Sequence, residues 1–311
     1  MTLQQLEYVL AVEKYRHFVR AAEACQITQS TLSSMIHKLE EELDLVIFDR
    51  AAHPVKPTLA GEEFIRQARV VMYHADQLKE LSMGERQRVS GTIRVGVTPT
   101  VAPYIMPKLF RYIDGIESLS LEAYELHRDR ILRMLKRAEL DMAIISLPQK
   151  DDDLLEIPLY REHLYAYVSP KDELYKAREI SCTKMPYEKL WELKNEVGFQ
   201  KQVADFCGEG ALPVTERKSR YESGSVTTLI HIVNANDGFT IIPELHIPLL
   251  REEYQKHIRP LVDPVPVREV GLFVRKDYVR EGLLNIVAEG IKGIVPERMV
   301  DERLRKFAIR L

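Results

Sequence analysis

The stretch from residue 18 to residue 39 constrains the fold most, because it has the pattern of two short amphipathic helices joined by a tight turn. Apolar residues recur at helical spacing on both sides of the turn Gln26-Ile27-Thr28. They are Phe18, Ala21, Ala22 and Cys25 before the turn, and Leu32, Met35, Ile36 and Leu39 after it. The spacing predicts a helix-turn-helix, although a surface pair of helices without a ligand has the same pattern.

The exposed face of the second helix carries short polar side chains that can approach base edges and phosphates in a major groove. A predicted short strand at residues 45–50 and a turn through residue 56 follow, which indicates a wing. Arg50 and Lys56 on this wing could neutralise DNA phosphates, and solvation is the alternative for both. The candidate DNA-binding residues are Thr28, Gln29, Ser30, Thr31, Ser33, Ser34, His37, Lys38, Arg50 and Lys56.

Composition and charge limit the remaining classes of protein. Residues 1–60 hold six Lys and Arg against eight Asp and Glu, so attraction to DNA must come from local geometry. Neither an apolar run of roughly 20 residues nor a signal peptide is recognisable, so we expect a cytoplasmic protein without membrane association. Cys25, Cys182 and Cys207 form no CxxC pair, which argues against a disulfide scaffold and a zinc site. We expect no metal and no cofactor.

Residues 59–88 predict one long helix with an apolar seam. The seam residues are spaced alternately by four and three positions, as in a heptad repeat, and they are Phe64, Ala68, Val71, Ala75 and Leu78. Such a seam packs most economically on its copy in a second subunit, and packing on the chain's own domains is the alternative. Glycines 84 and 91 then bound a polar segment that predicts a hinge.

From residue 92 onward, strands and helices alternate, which predicts an α/β domain. We expect strands at 92–97, 119–125 and 141–146, helices at 103–116 and 131–138, and crossover strands at 160–168 and 269–274. A second lobe would hold a strand at 197–199, helices near 202–207 and at 226–234, and a strand at 239–242. Two α/β lobes joined by two crossover strands form a cleft.

Ligands of open α/β sheets collect at the carboxyl ends of strands, beside helix N-termini. The loops Thr98-Pro99-Thr100 and Ser223-Gly224-Ser225 have this position, and helix capping is the alternative role of their hydroxyls. Arg128 follows a strand and favours an anionic ligand, unless it is simply solvated. The candidate effector-binding residues are Thr98, Pro99, Thr100, Arg128, Ser146, Gln202, Ser223 and Ser225.

Several motifs of the N-terminal sixty residues resemble the DNA-binding domain of LysR-type transcriptional regulators. They are Phe18-Val19-Arg20-Ala21-Ala22-Glu23, Gln29-Ser30-Thr31-Leu32-Ser33, Ile36-His37-Lys38-Leu39-Glu40, Leu43, Phe48-Asp49-Arg50 and Thr58-Leu59-Ala60-Gly61. Three positions depart from the family pattern. Asp44 replaces the usual glycine, Ser30 the usual proline, and Ser34 a residue that is often basic.

The resemblance implies an architecture and partners. An all-α winged helix-turn-helix domain at 1–58 would precede a linker helix at 59–88 and a two-lobed α/β effector-binding domain at 89–311, similar to periplasmic binding proteins. Lobe I would span about 89–161 and 267–311, and lobe II about 162–266. Implied partners are a double-stranded DNA operator with paired half-sites, a small effector, RNA polymerase and further copies of the chain, in a homodimer or homotetramer.

The C-terminal half resembles the peroxide-sensing OxyR branch of that family. The matching segments are residues 96–104, 205–207, 210–211, 225–229 and 238–243. Peroxide sensing needs a reactive thiolate and a resolving cysteine nearby. The resemblance places Cys207 at the resolving position but Gly198 at the peroxidatic one, and Arg128 where the branch has threonine, while Thr100 is retained. We therefore expect a small bound effector.

Two alternatives remain open. A redox-switched regulator could use Cys207 with Cys182, provided that their Cα atoms lie within about 7 Å. An enzyme using the cleft is less favoured, because GxSxG, HExxH, GxxxxGK and GxGxxG are all absent from the sequence. The run Asp151-Asp152-Asp153 predicts a solvated loop and not a metal site.

Overall fold

The computed structural model describes residues 1–81, 90–147, 151–191 and 225–302. The chain divides into two compact units. One unit includes Met1–Arg88, and the other includes Val89–Leu135 and Leu140–Leu311. We call them the DNA-binding unit and the effector-binding unit, after the roles that the sequence predicts. No helix of the described residues is long and apolar enough to cross a membrane.

The DNA-binding unit consists of helices and a small wing. Its elements are α1 (Leu3–Tyr15), α2 (Phe18–Ala24), α3 (Gln29–Leu43), β1 (Phe48–Asp49), β2 (Lys56–Pro57) and α4 (Leu59–Leu81). The apolar stripes predicted for α2 and α3 pack with α1 and α4 into one core, which includes Val9, Ala21, Leu32, Ile36, Leu39 and Ile65. The wing is the antiparallel pair of β1 and β2.

The wing strand is shorter than predicted. Residues 45–50 were expected to be extended throughout, yet only Phe48–Asp49 pairs with β2. The preceding backbone N–H groups are used elsewhere, since Leu45 donates to the Glu40 carbonyl and Ile47 to the Glu40 carboxylate. The end of α3 thus holds the chain that leads into the wing.

Helix α3 ends at Leu43 and is capped by Asp44, which adopts the left-handed conformation with φ 49°. Its backbone N–H donates to the carbonyls of Glu40 and Glu41 and so closes the last turn. Glycine is the residue that adopts this conformation at least cost. This geometry explains why a glycine is usual at this position in the family that the sequence resembles.

Helix α4 starts in close contact with the segment before the wing. The Thr58 hydroxyl donates to the Val46 carbonyl and accepts a hydrogen bond from the Gly61 N–H at 2.9 Å. A Cβ atom at Gly61 would overlap the backbone carbonyl of Ile47. Glycine is therefore required at residue 61 by the close approach of two backbone segments.

The predicted seam of α4 is divided between two environments. Phe64 packs against the core of the DNA-binding unit and Ala68 is buried, which matches the alternative of packing within one chain. Val71 and Leu78 are 44% and 68% exposed. The predicted continuation of the helix to residue 88 and the hinge at 84–91 lie largely outside the described residues.

The effector-binding unit is built on an eight-stranded sheet in the order β4-β3-β5-β10-β6-β9-β7, with β8 paired to β6. Its strands are β3 (Gly91–Val97), β4 (Leu119–Glu125), β5 (Met142–Ser146), β6 (Leu154–Val168), β7 (Ile180–Ser181), β8 (Phe239–Pro243), β9 (Ile258–Val262) and β10 (Val267–Arg275). Its helices are α5 (Ala102–Asp114), α6 (Arg128–Lys136), α7 (Val226–Ala235), α8 (Glu252–Gln255) and α9 (Glu281–Ile294).

Strands β3, β4 and β5 run parallel, and β6 and β10 are the two antiparallel crossover strands between the lobes. The crossover β6 begins at Leu154, six residues before the predicted start, because it pairs with β10 from that residue onward. The predicted strand at 197–199 and helix near 202–207 lie outside the described residues.

Candidate DNA-binding surface and effector site

The first turn of α3 is closed by hydroxyl groups. Thr28 is the N-cap, and its Oγ1 accepts a hydrogen bond from the Thr31 N–H at 3.2 Å. The same oxygen lies 3.0 Å from Ser30 Oγ and 2.8 Å from Thr31 Oγ1. These three predicted DNA-binding residues are exposed and also fix the start of α3.

Further along α3, the predicted face is presented to the exterior of the unit. Gln29, Ser34, His37 and Lys38 are exposed, and Ser33 is half-buried. His37 Nε2 lies 3.4 Å from a carboxylate oxygen of Glu41, one turn further on. Such a row of polar side chains on one exposed helix face can enter a major groove.

The two predicted cations of the wing have different surroundings. Lys56 is exposed on β2. Arg50 is exposed too, but its guanidinium contacts α3, through Nη2 to Glu40 Oε2 at 2.8 Å and Nη1 to Ser33 Oγ at 3.3 Å. Its guanidinium also lies over the ring of Phe18, 5.4 Å from the centroid.

In the effector-binding unit, the carboxyl ends of β3, β4 and β5 meet at one edge of the sheet. Thr98 follows β3 and donates its N–H to the Ile144 carbonyl of β5 at 3.3 Å. Leu126, after β4, donates to the Val97 carbonyl at 3.1 Å. Three predicted effector-binding residues, Thr98, Arg128 and Ser146, are therefore brought to the same edge.

Two hydroxyls at this edge are buried without a hydrogen-bond partner in the described part of the chain. They belong to Thr98 and Ser146, which are 3% and 5% exposed. The Thr98 carbonyl accepts from the N–H groups of Val101 and Ala102, so the start of α5 is closed by the backbone and not by this hydroxyl. A buried hydroxyl that makes no hydrogen bond lowers the stability of the folded protein. A ligand that hydrogen-bonded to these two hydroxyls would remove that cost.

Thr100, also predicted, is held by a buried ion pair. Arg268 donates from Nη1 to Thr100 Oγ1 at 2.7 Å and from Nη2 to the Thr100 carbonyl at 3.1 Å. Its Nε donates to Glu162 Oε1 at 2.8 Å. The second oxygen of Glu162 accepts from the Leu245 N–H at 2.9 Å, so this pair links the loop after β3 to the segment after β8.

Sequence reasoning missed Arg268 and Glu162. They lie directly opposite each other on β10 and β6, and both side chains are almost completely buried. The available signal was a charged residue within one predicted crossover strand, Glu162 in 160–168, and another, Arg268, one residue before the predicted strand 269–274. An isolated charge in a strand is usually solvated, so this signal becomes specific only once the two strands are known to pair.

The ion pair has a neutral neighbourhood. Burial, and secondarily the charge of Arg268, lowers the pKa of His246 from 6.5 to about 4, so this imidazole is uncharged at neutral pH. Burial also raises the pKa of Tyr160 well above its ordinary value, with Glu162 acting in the same direction. The phenol of Tyr160 is therefore neutral too.

Of the four remaining predicted effector residues, two lie in the described part of the chain. Pro99 is buried beside Thr98. Ser225 is the N-cap of α7 and accepts from the Thr228 N–H at 3.2 Å, which matches the capping alternative. Gln202 and Ser223 lie outside the described residues. Within the described ranges, no group of three or more His, Cys, Asp or Glu side chains could hold a metal ion.

Comparison with known families identifies the two units. Residues 3–62 match the bacterial regulatory helix-turn-helix protein family of the LysR type, and residues 86–289 match the LysR substrate binding domain. The chain belongs to the LysR family. It is thus a DNA-binding transcriptional regulator, from a family of regulators and not of enzymes. Members of this family bind DNA and small-molecule effectors and form oligomers.

Several relatives of this LysR-family chain are named as OxyR or as a hydrogen peroxide-inducible genes activator. It is 30% identical over 294 residues to the DNA-binding transcriptional dual regulator OxyR of Escherichia coli K12, covering 94% of this chain and 95% of the relative. It is 28% identical to the hydrogen peroxide-inducible genes activator of Pectobacterium carotovorum, covering 94% and 96%. A full-length OxyR variant from Pseudomonas aeruginosa has the same fold, with a TM-score of 0.81, 27% identity, and coverage of 97% and 98%.

The cysteines that the structure describes are not arranged as reactive thiols. Cys182 is fully buried in the core of lobe II. Burial, and secondarily the charge of Glu7, raises the pKa of the Cys25 thiol, which disfavours the thiolate. Cys207 and Gly198 lie outside the described residues.

Proposed function

We propose that this LysR-family chain reads its operator with the exposed face of α3 in the major groove. Gln29 and Ser33 would contact base edges, Lys56 would contact a phosphate, and the polar side chains around them would complete the surface. These are Thr28, Ser30, Thr31, Ser34, His37 and Lys38. The exposed position of Gln29 and the defined start of α3 support this assignment.

The regulator would act as a symmetric assembly in the cytoplasm, together with DNA and RNA polymerase. Val71 and Leu78 are exposed on α4, and covering them with a second α4 would form the dimer. The α/β domains would join dimers into a tetramer. Val71→Glu should then separate the protomers, and light scattering at micromolar concentration measures this directly. An unchanged molar mass would mean that α4 does not form the dimer interface.

We further propose that the effector binds at the shared edge of β3, β4 and β5. The observation that carries this proposal is that the hydroxyls of Thr98 and Ser146 are buried and have no hydrogen-bond partner among the described residues. The buried cation nearby, Arg268, is already neutralised by Glu162, so hydroxyl groups would anchor the ligand. An anionic group of the effector would be met by Arg128, and Gln202, Ser223 and Ser225 would face it from the second lobe.

Thr98→Val tests this site even before the effector is identified. The valine has nearly the same shape but lacks the unpartnered hydroxyl, so the ligand-free protein should gain about 1–3 kcal/mol of unfolding free energy. The variant should bind operator DNA normally and lose its response to the effector. Urea unfolding and a promoter reporter measure the two effects. A destabilised variant, or one that still responds, would contradict the proposal.

The peroxide response named for several relatives defines the second candidate function. In this chain Gly198 stands at the position that the resemblance assigns to the peroxidatic cysteine, and Cys182 is buried. We propose that stoichiometric hydrogen peroxide forms no bridge between Cys182 and Cys207 and leaves operator affinity unchanged. Mass spectrometry that detected a rapid bridge, together with altered DNA binding, would restore the redox function with Cys207 as its reactive residue.

A further inference from the structure

Arg50 and Glu40 form a connection between the recognition helix and the wing. Glu40 lies on the buried side of α3, with its side chain only 9% exposed. Its Oε1 accepts from the backbone N–H groups of Ile47 at 2.8 Å and Phe48 at 3.2 Å, and its Oε2 accepts from Arg50. The Glu40 carboxylate thus binds both the backbone that enters β1 and the side chain of Arg50, the residue directly after β1.

This arrangement has an electrostatic consequence. A carboxylate in so enclosed a position needs a compensating charge, and the Arg50 guanidinium supplies it. The planar fork of arginine satisfies Glu40 with one nitrogen and Ser33 with the other, while its face covers Phe18. Phe18 in turn contacts Phe48 of β1 edge to face, with 6.1 Å between the ring centroids. The side chain of Arg50 is still 41% exposed, but its guanidinium is held against α3 and Phe18 by these contacts.

The contact with Ser33 also sets the chemistry that this hydroxyl offers. Because Arg50 has only donors, Ser33 Oγ must accept in their hydrogen bond. The hydroxyl hydrogen of Ser33 then remains to be donated, and it suits an acceptor such as N7 or O6 of a purine. Arg50 thereby selects the donor role for a side chain on the predicted base-reading face.

We infer that Arg50, backed by Glu40, is a positioning residue for specificity, which fixes Ser33 and the wing relative to α3, and is not a phosphate contact. This inference rests on the proposed reading of DNA by α3. It replaces the expectation from sequence that Arg50 binds phosphate, whereas Lys56 keeps that role.

Arg50→Lys separates the two roles, because lysine keeps the charge but loses the fork. The full-length protein is titrated with the duplex that it selects from a random library and with a random duplex of equal length, at several salt concentrations. We expect specific affinity to fall about 10-fold, with non-specific affinity and the salt slope unchanged. Lys56→Ala is the matched control and should lower the slope by about one on both duplexes.

Glu40→Gln should change DNA affinity in opposite directions for the two roles of Arg50. If Arg50 is a positioning residue, loss of the carboxylate charge weakens specific binding, as in Arg50→Lys, and both variants relax the same base-pair position as Ser33→Ala. If Arg50 contacts phosphate, Glu40→Gln releases it, so binding tightens on both duplexes and the salt slope steepens. The latter result, or a wild-type affinity for Arg50→Lys, would overturn the inference.

Two further measurements keep these outcomes distinct. Circular dichroism melts of each variant show whether the unit is folded at the temperature of the titrations, and affinities are compared only below the melting transition. If the wild-type chain selects no preferred duplex, the proposed reading by α3 fails. If it does select one and Arg50→Lys retains full preference at the Ser33 position, only the positioning role of Arg50 fails.

Discussion

The DNA-binding unit and the effector-binding unit satisfy their polar groups in opposite ways. On α3, the side chains proposed to read DNA are exposed, and the buried carboxylate of Glu40 accepts hydrogen bonds from Ile47, Phe48 and Arg50. At the edge of the large sheet, the hydroxyls of Thr98 and Ser146 are buried and lack partners in the described residues. The polar groups of the proposed DNA-binding surface are therefore accessible, whereas the two hydroxyls of the proposed effector site would gain hydrogen bonds from a ligand.

The sequence supplies separate probes for the two units. The single tryptophan, Trp191, is buried in lobe II, where its indole N–H donates to the Asp237 carbonyl at 2.8 Å. Its fluorescence therefore reports unfolding of the effector-binding unit. Operator binding reports on the DNA-binding unit, and so does any circular dichroism transition that is separate from the Trp191 transition. The variants below use this contrast.

The largest effect is expected from breaking the buried ion pair of the effector-binding unit. Glu162→Ala leaves Arg268 charged and enclosed, so the free energy of unfolding should fall by about 3–5 kcal/mol. The loss should be visible in the Trp191 transition in urea. The double variant Glu162→Met with Arg268→Met is the control and should recover most of the stability. Equal stability of Glu162→Ala and wild type would show that the pair is not buried in solution.

Acidification should weaken the same unit through His246. Its folded-state pKa of about 4 lies below the 6.5 of the unfolded chain, so between these values the unfolded state binds the extra proton. The stabilisation is complete above pH 6.5, declines as the pH falls, and is lost near pH 4, a change of about 3 kcal/mol. His246→Gln should remove this part of the pH dependence. Parallel pH profiles for the variant and wild type would contradict it.

Gly61→Ala should instead act on the DNA-binding unit. The added methyl group meets the Ile47 carbonyl, and the adjustment should cost about 2 kcal/mol and weaken operator binding. The midpoint of the Trp191 transition in urea should not change. Gly293→Ala is the matched control, because a Cβ at this position in α9 meets nothing within 4 Å and should be neutral or slightly stabilising. Comparable losses in both variants would refute the packing argument.

The smallest effect should be a gain in stability. Asp44 caps α3 in the left-handed conformation, which glycine adopts without strain. Asp44→Gly should therefore raise the free energy of unfolding of the DNA-binding unit by up to about 1 kcal/mol. Operator affinity should not change. Asp44→Ala is the contrasting control and should be destabilising. A loss of stability in Asp44→Gly would mean that the aspartate side chain makes a contact of its own.

Sequence reasoning succeeded where the determinants are local. The pattern of α2 and α3 and the strands 119–125 and 239–242 follow from spacing within a few residues. The predicted wing strand is longer than the observed one, because strand propensity does not show that its N–H groups donate to Glu40. Arg268 and Glu162 were missed because they are 106 residues apart and meet only through the pairing of β6 with β10.

Roles were harder to predict than positions. Arg50 was recognised as a wing residue, but its contacts with Glu40 and Ser33 could not be deduced from a pattern. Thr98 and Ser225 have the same place in the sequence, each before a helix. Only Ser225 caps its helix, because the Thr98 carbonyl replaces the hydroxyl at the start of α5. Loop geometry, which the sequence does not encode in a simple repeat, decides between these outcomes.

Selection of bound duplexes from a randomised library tests the central claim, that the exposed face of α3 reads DNA in a symmetric assembly, most directly. Wild-type protein should enrich two inverted half-sites spaced by whole turns of the double helix. Gln29→Ala should lose preference at one matching position in each half-site, at a cost of about 1–3 kcal/mol on that sequence, with little change on random DNA. Equal binding of all duplexes by the wild type, or a uniform loss on all sequences in Gln29→Ala, would contradict the account.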